Sequence, residues 1–106
     1  MPYIRTTVSK SINPGQRDIL KSKLGNAIAL IPGKSEAWLM LAFEDNMSMY
    51  FKGDNSADYA YVEVSLFGGA SDAAYDRLTA AISEIISETL GIDSSNIYIK
   101  YEEAEH

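Results

Sequence analysis

YAYVEVSLFGGASD, residues 59–72, is the stretch of sequence that decides the fold. Apolar residues occupy every second position of its first half: Ala60, Val62, Val64 and Leu66. This alternation predicts a strand from Tyr59 to Phe67 with one buried face. Gly68-Gly69 ends the strand, and Ser71 is a residue type that commonly caps the first turn of a helix. We therefore expect a strand followed directly by a helix.

The helix predicted after Ser71 has an apolar stripe at helical spacing, which consists of Ala74, Leu78, Ile82, Ile85 and Leu90. Gly91 supplies the left-handed conformation that commonly ends a helix. Ile97 to Tyr101 (IYIKY) predicts a last strand, and the acidic residues Glu102 to Glu105 are expected to form a solvated tail. Tyr59 to Tyr101 is therefore interpreted as a strand–helix–strand unit.

The first part of the chain has the same order of elements. Pro2 to Val8 alternates as a strand does, and Asn13-Pro14 is typical of a helix start. The apolar stripe of this helix consists of Leu20, Leu24, Ala27, Ile28 and Ile31. Pro32-Gly33 must end the helix, because proline disfavours helical geometry at the residue before it. Trp38 to Phe43 is a continuous apolar run, which predicts a strand covered on both faces.

Two strand–helix–strand units predict one α+β domain over residues 1–106, with tandem β-α-β units in a four-stranded mixed sheet and both helices on one face. Between the units, Met47 to Phe51 predicts a short additional strand, closed by a turn at Gly53-Asp54-Asn55. The other face of the sheet would be bare in a monomer. Since Trp38 to Phe43 offers apolar residues to both faces, a closed oligomer is expected to cover it.

Composition excludes several function classes. The net charge of −6 argues against a nucleic-acid partner, which would need clustered lysine and arginine. The chain has no cysteine and its one histidine is His106, so thiol chemistry, a histidine-based zinc site and a serine–histidine relay have no residues to carry them. No secretory signal or long apolar run occurs, so we expect a cytoplasmic protein without a membrane partner.

Several short motifs in order resemble the macrophage migration inhibitory factor family of the tautomerase superfamily. They are Met1-Pro2 before a strand, Gly33-Lys34 after the first helix, MYF followed by a glycine turn, SLFGGAS before the second helix, and IYIKY near the end. The resemblance spans about Pro2 to Tyr101. It implies a β-α-β–β-α-β subunit in a homotrimer with active sites between subunits. It also implies cofactor-independent keto–enol tautomerisation of phenylpyruvate-like α-keto acids.

In that family the base is the amino-terminal proline, here Pro2 once Met1 is removed. Tautomerisation needs a base that takes a proton from the carbon next to a carbonyl and returns it elsewhere. Apolar surroundings and a nearby cation would lower the pKa of the Pro2 amine and keep it neutral. By the same resemblance, Lys34 binds the substrate carboxylate and the Leu66 backbone N–H contacts it. A two-residue shift of register would instead select Val64.

The resemblance also assigns the walls of the pocket. Tyr98 matches an aromatic residue that lines it, Trp38 lies where a second aromatic is often found, and Tyr3 adjoins the base. Lys100 departs from the asparagine of close relatives, and this substitution would change the preference for ring substituents or add a second contact to an anion. The chain ends at His106, without the longer carboxyl-terminal segment that closes the pocket in longer relatives, so a more open site is expected.

Three other functions compete with this interpretation. A cytokine-like binding protein of the same fold would retain only vestigial tautomerase activity. Decarboxylation or dehalogenation within the superfamily generally requires further arginines, and this chain offers Arg5, Arg17 and Arg77, the last two on predicted helices. A ferredoxin-like binding module has the same element order, although the negative charge disfavours RNA. Turnover of phenylpyruvate that is lost on Pro2→Gly would favour the tautomerase over the binding protein.

Overall fold

The fold is a mixed sheet with two long helices. The computed structural model describes residues 2–105. Its strands and α-helices are β1 Tyr3–Val8, α1 Pro14–Ala27, β2 Met40–Glu44, β3 Ala60–Phe67, α2 Asp72–Leu90 and β4 Ile97–Ala104. The strand order is β2-β1-β3-β4, in which β1 and β2 are parallel, β3 and β4 are parallel, and the central pair β1 and β3 is antiparallel. Two β-α-β units therefore meet at the centre of one four-stranded sheet, which confirms the predicted fold.

The hydrophobic core lies between the two helices and one face of the sheet. In the central pair, Ile4 lies opposite Val64 and Val8 opposite Ala60, and all four side chains are buried. The stripe of α2 that contributes to this core consists of Ala74, Leu78, Ile82, Ile86 and Leu90. Ile86 replaces the predicted Ile85, which is only half-buried, because a spacing of four residues from Ile82 and Leu90 keeps it on the same line.

The helices begin and end at the capping residues that the sequence predicts. At the start of α1, the Gln16 backbone N–H donates to Asn13 Oδ1 at 2.8 Å and the Asn13 N–H donates to Gln16 Oε1 at 3.0 Å, a complete capping box. Ser71 Oγ accepts from the Ala74 N–H at the start of α2, and Gly91 at its end has a φ of 71°. These caps agree with the predicted positions.

The apolar run Trp38 to Phe43 forms a strand only in its later part. Its first residue belongs to the 3-10 turn Glu36–Trp38, and strand β2 begins only at Met40. In this chain β2 is an edge strand, and the Met40 side chain is 55% exposed. The predicted start of the strand was therefore wrong by two residues, while the cover that a second copy would give to the exposed side stays a prediction.

The segment between β2 and β3 does not form the predicted strand. Within residues 47–58 the only bridge is between Phe51 and Asp54, which exchange two backbone hydrogen bonds of 2.8 and 3.0 Å. The turn lies at Lys52-Gly53, where φ is 55° and 76°, and not at Gly53-Asp54-Asn55. Positive φ at both central residues is the geometry of a tight hairpin turn, so this segment folds back on itself.

Strand β4 is longer than its apolar part. It continues through Glu102 and Glu103 to Ala104, and these residues pair with Ser65, Leu66 and Phe67 of β3. Glu102 and Glu103 are exposed to solvent, as expected, but they belong to a strand and not to a tail. A parallel ladder to a well-formed neighbouring strand outweighs the low strand propensity of glutamate.

The face of the sheet away from the helices carries charge. Arg5 lies opposite Glu63, and Glu63 lies opposite Lys100. The Arg5 guanidinium also donates to Glu44 Oε1 at 2.8 Å, and this hydrogen bond raises the pKa of Arg5 above its usual value. This face is bare in one chain, as predicted, and it carries apolar as well as charged side chains. Met40, Phe67 and Tyr98 are exposed on it, on the same side of the sheet as Arg5 and Glu63. Trp38 and Tyr50 are exposed near the two edges of the sheet.

Candidate active site

Pro2 is a buried residue at the start of the first strand. Its carbonyl oxygen accepts a hydrogen bond of 2.9 Å from the Met40 N–H, so it is held against β2. The antiparallel ladder pairs Tyr3 with Ser65. Continued by one residue, the same register brings Leu66 level with Pro2, whereas Val64 pairs with Ile4, farther along the strand. Of the two alternatives, Leu66 is thus the residue beside Pro2.

Lys34 reaches the same end of the sheet from the loop after the first helix. Gly33 has a φ of 83°, a conformation that favours glycine, and the chain turns there. The Lys34 N–H donates to the Ile31 carbonyl, and the side-chain Nζ donates to the Phe67 carbonyl at 3.1 Å. Phe67 follows Leu66, so the ammonium lies at the end of β3 that adjoins Pro2.

Trp38 and Tyr3 flank this end of the sheet. Trp38 is 71% exposed in the turn before β2, beside an open cavity of about 410 Å³ along that edge. Tyr3 is half-buried and pairs with Met40 and Ser65, and it points to the face opposite the one on which Pro2 is buried. Both aromatic side chains are therefore near Pro2, although only Trp38 is largely free of contacts within the chain.

Tyr98 and Lys100 lie elsewhere in the same chain. Tyr98 pairs with Tyr61, which pairs with Thr7, five residues beyond Pro2 and so about 17 Å away along the strands. Lys100 pairs with Glu63 on the outer edge strand. Neither side chain reaches Pro2 within one chain. The seven candidate residues therefore form two groups, one around Pro2 with Lys34, Leu66, Trp38 and Tyr3 and one on β4 with Tyr98 and Lys100.

Tyr98 belongs to an aromatic cavity that the sequence analysis missed. The cavity measures about 280 Å³, and its wall includes Tyr50, Phe51, Tyr59, Tyr61 and Tyr98. The Phe51 and Tyr59 rings meet edge to face with centroids 5.9 Å apart, and those of Tyr61 and Tyr98 are 5.8 Å apart. The density of aromatic residues from Tyr50 to Tyr61 was the available signal.

Within the part of the chain that the structure describes, no group of three histidine, cysteine or acidic side chains could hold a metal ion. None of the helices between residues 2 and 105 is long and apolar enough to cross a membrane.

The sequence matches the family profile described as Macrophage migration inhibitory factor (MIF) over residues 1–106. This chain belongs to the MIF family. Among solved structures, MIF2 of Leishmania major is 31% identical with a TM-score of 0.90, and the match covers 98% of this chain and 89% of that one. A search of curated protein sequences found no significant match.

Two more distant structures share the fold of this MIF-family chain. Pt0534, described as inactivated by 2-oxo-3-pentynoate, is 16% identical with a TM-score of 0.87, and 97% of this chain and 85% of that one are covered. The "Q0 fused 4-OT wild type symmetric trimer" is 18% identical with a TM-score of 0.86, again covering 97% and 85%. The solved structures that share this fold therefore include one described as a symmetric trimer.

Proposed function

We propose that this MIF-family protein is a keto–enol tautomerase of phenylpyruvate-like α-keto acids, with Pro2 as the base after removal of Met1. Met1 lies outside the described residues. The observation that carries the proposal is the convergence of Pro2, Leu66 and the Lys34 ammonium at one end of the central strands. A base beside a cation and a backbone donor is what the tautomerisation of a carboxylate substrate requires.

The chemistry is a proton transfer that conserves every atom. With Met1 removed, the neutral amine of Pro2 takes a proton from the carbon next to the keto group and becomes an ammonium. The electron pair of the broken C–H bond forms the enol double bond, and the former carbonyl oxygen gains negative charge. The Pro2 ammonium then gives its proton to this oxygen and becomes a neutral amine again. Lys34 and the Leu66 N–H hold the carboxylate, and the positive charge of Lys34 also stabilises the developing oxyanion. The reverse sequence of steps converts enol to keto.

We further propose a homotrimer in which the neighbouring subunit contributes Tyr98 and Lys100 to each site. The support is that these residues lie too far from Pro2 in their own chain and that apolar side chains are exposed near opposite edges of the sheet. A head-to-tail contact that joins the Trp38 edge of one copy to the Tyr98 edge of the next forms a closed ring of three when each copy is rotated by a third of a turn. Tyr98 would then stack on the substrate ring, and Lys100 would select its substituent or contact a second anion.

The test is the ultraviolet absorbance change of phenylpyruvate as enol converts to keto, measured for wild type and Pro2→Gly. We expect turnover in the wild type and a loss of kcat of about a hundredfold or more in the variant. Equal rates would remove Pro2 from the mechanism. No turnover of any α-keto acid by the wild type would favour a binding protein with a vestigial site.

An independent test asks whether the Pro2 nitrogen is free and nucleophilic. Pt0534 is inactivated by 2-oxo-3-pentynoate, so the same reagent serves as the probe. Addition of a neutral amine to its triple bond loses no atom, so the protein should gain the full mass of the reagent on the peptide that begins with Pro2. Retention of Met1 in the intact mass, or labelling elsewhere, would contradict the proposal.

A further inference from the structure

The end of strand β4 lies beside the segment that holds Lys34. Glu103 pairs with Leu66 and Ala104 with Phe67 at the last two positions of the ladder. The Gly68 N–H then donates to the Ala104 carbonyl at 2.8 Å. The backbone from Leu66 to Gly68 is therefore fixed on one side by the last residues of the strand.

A side-chain contact ties this strand end to the second helix. Tyr75 Oη in the first turn of α2 donates to Glu103 Oε2 at 2.7 Å. The same carboxylate lies directly over Gly69, where the Cβ of any other residue would overlap it. The Tyr75 ring also packs on Tyr101, with centroids 4.6 Å apart. We call the pair of Tyr75 and Glu103 the clasp.

The hydrogen bond of the clasp is stable at neutral pH. Partial burial, and secondarily the Glu103 carboxylate, raise the pKa of Tyr75 to about 12, so its hydroxyl remains a donor. A hydroxyl that donates to an ionised carboxylate makes one of the stronger kinds of protein hydrogen bond. The contact therefore joins α2 and β4 at the point where the sheet ends.

The clasp connects to the candidate active site through one carbonyl group. Lys34 Nζ donates to the Phe67 carbonyl, which lies between Leu66 and the Gly68 amide that Ala104 holds. Movement of the strand end would therefore shift both groups that are proposed to bind the substrate carboxylate. This is a continuous set of direct contacts from α2 to the Lys34 ammonium.

We propose that Tyr75 and Glu103 are positioning residues for substrate binding: they fix the Leu66–Gly69 segment and thereby set the spacing between the Lys34 ammonium and the Leu66 N–H. This inference rests on the proposed function, in which those two groups hold the substrate carboxylate. A carboxylate bound in both ground state and transition state contributes mainly to KM. Loss of the clasp therefore raises KM and leaves kcat nearly unchanged.

The experiment compares Tyr75→Phe and Glu103→Ala with Glu103→Gln, which retains an acceptor oxygen. The control is Thr79→Val, which removes the 2.7 Å contact of Thr79 Oγ1 with Tyr101 Oη, another hydrogen bond between α2 and β4. Tyr101 also contacts Tyr75, so this variant disturbs a neighbour of the clasp while it leaves the hydrogen bond from Tyr75 to Glu103 in place. We expect KM for phenylpyruvate to rise about threefold to tenfold in Tyr75→Phe and Glu103→Ala. Glu103→Gln should recover most of the affinity, and Thr79→Val should keep the wild-type KM.

Hydrogen exchange of the Gly68 amide gives a readout that does not need turnover. Faster exchange in Tyr75→Phe than in Thr79→Val supports the clasp even if the wild type converts no α-keto acid, in which case only the proposed function fails. Unchanged Gly68 exchange in Tyr75→Phe and Glu103→Ala overturns the inference. It is also overturned if Thr79→Val raises KM as much as Tyr75→Phe, because the effect would then be a general loss of packing.

Discussion

Lys34 Nζ donates to the carbonyl oxygen of Phe67 at 3.1 Å, across 33 residues of sequence. The contact joins the loop after the first helix to the end of β3, and it brings an ammonium to the strand end beside Pro2. Two segments that are remote in the chain thus meet at one corner of the sheet, which carries a positive charge. That charge is needed for the proposed reaction, since the net charge of −6 would otherwise repel a carboxylate substrate.

Removal of this ammonium should weaken substrate binding. We expect Lys34→Ala to raise KM for phenylpyruvate about tenfold or more, because a charge-assisted contact to the carboxylate is lost. Lys23→Ala is the matched control, since Lys23 is an exposed lysine on α1 whose nearest carboxylate, Glu88, lies 4.0 Å away. Steady-state kinetics with the two variants decide the matter, and an unchanged KM in Lys34→Ala would count against the carboxylate contact.

Mixed trimers test whether each site is shared between subunits. Pro2→Gly and Tyr98→Ala chains, unfolded together in equal amounts and refolded, should regain activity that neither variant has alone. If Pro2 and Tyr98 of one site come from different copies, about a quarter of the sites in randomly mixed rings are intact. If both come from one chain, no intact site forms and the mixture stays at the average of the two parents.

Thr6 is a core position with an unpartnered hydroxyl. The residue is fully buried, and its Oγ1 finds no hydrogen-bond partner among residues 2–105. Thr6→Val keeps the shape and removes the cost of burying that hydroxyl, so we expect a gain of about 1 kcal/mol in the free energy of unfolding. Thr7→Val, on the other face of β1, is the control without that gain. Denaturant unfolding at fixed protein concentration measures both, and a loss of stability in Thr6→Val would contradict the assignment.

Tyr75 should make the protein sensitive to alkali. Its pKa is raised from 10.0 to about 12, so the protonated form is favoured in the folded state. The stabilisation is fully present below pH 10 and is lost as the pH rises through about 12. Stability measured between these limits should therefore fall less steeply in Tyr75→Phe than in wild type. Burial also raises the pKa of Tyr101, so some dependence on pH remains.

The sequence predicted those parts of the fold that depend on local pattern. Alternation around Val62 predicted β3, and the caps at Asn13 and Ser71 predicted where the two helices begin. Prediction from the sequence failed where pairing with a distant segment determines whether a strand forms. Glu102 and Glu103 extend a strand because β3 offers a ladder, and Met47 to Phe51 lacks one because the chain turns at Lys52.

The candidate site was predictable only as a set of residues. Nothing in the spacing of Lys34 and Phe67 indicates that they touch, because the contact depends on how the loop folds over the sheet end. No local sequence pattern indicates the clasp either, since the position of Tyr75 is that of an ordinary residue in an amphipathic helix. The sequence equally could not indicate that Tyr98 lies far from Pro2, since that separation follows from the strand order.

The charged face of the sheet has a consequence for how copies would adhere. If three sheets turn this face inward, Arg5, Glu63 and Lys100 of every copy line a hydrated central channel and not an apolar interface. Cohesion would then reside at the rims of the subunits, where Trp38 and Tyr98 are found. Salt would permeate such a channel freely, so the ring should tolerate high ionic strength while depending strongly on its aromatic rim.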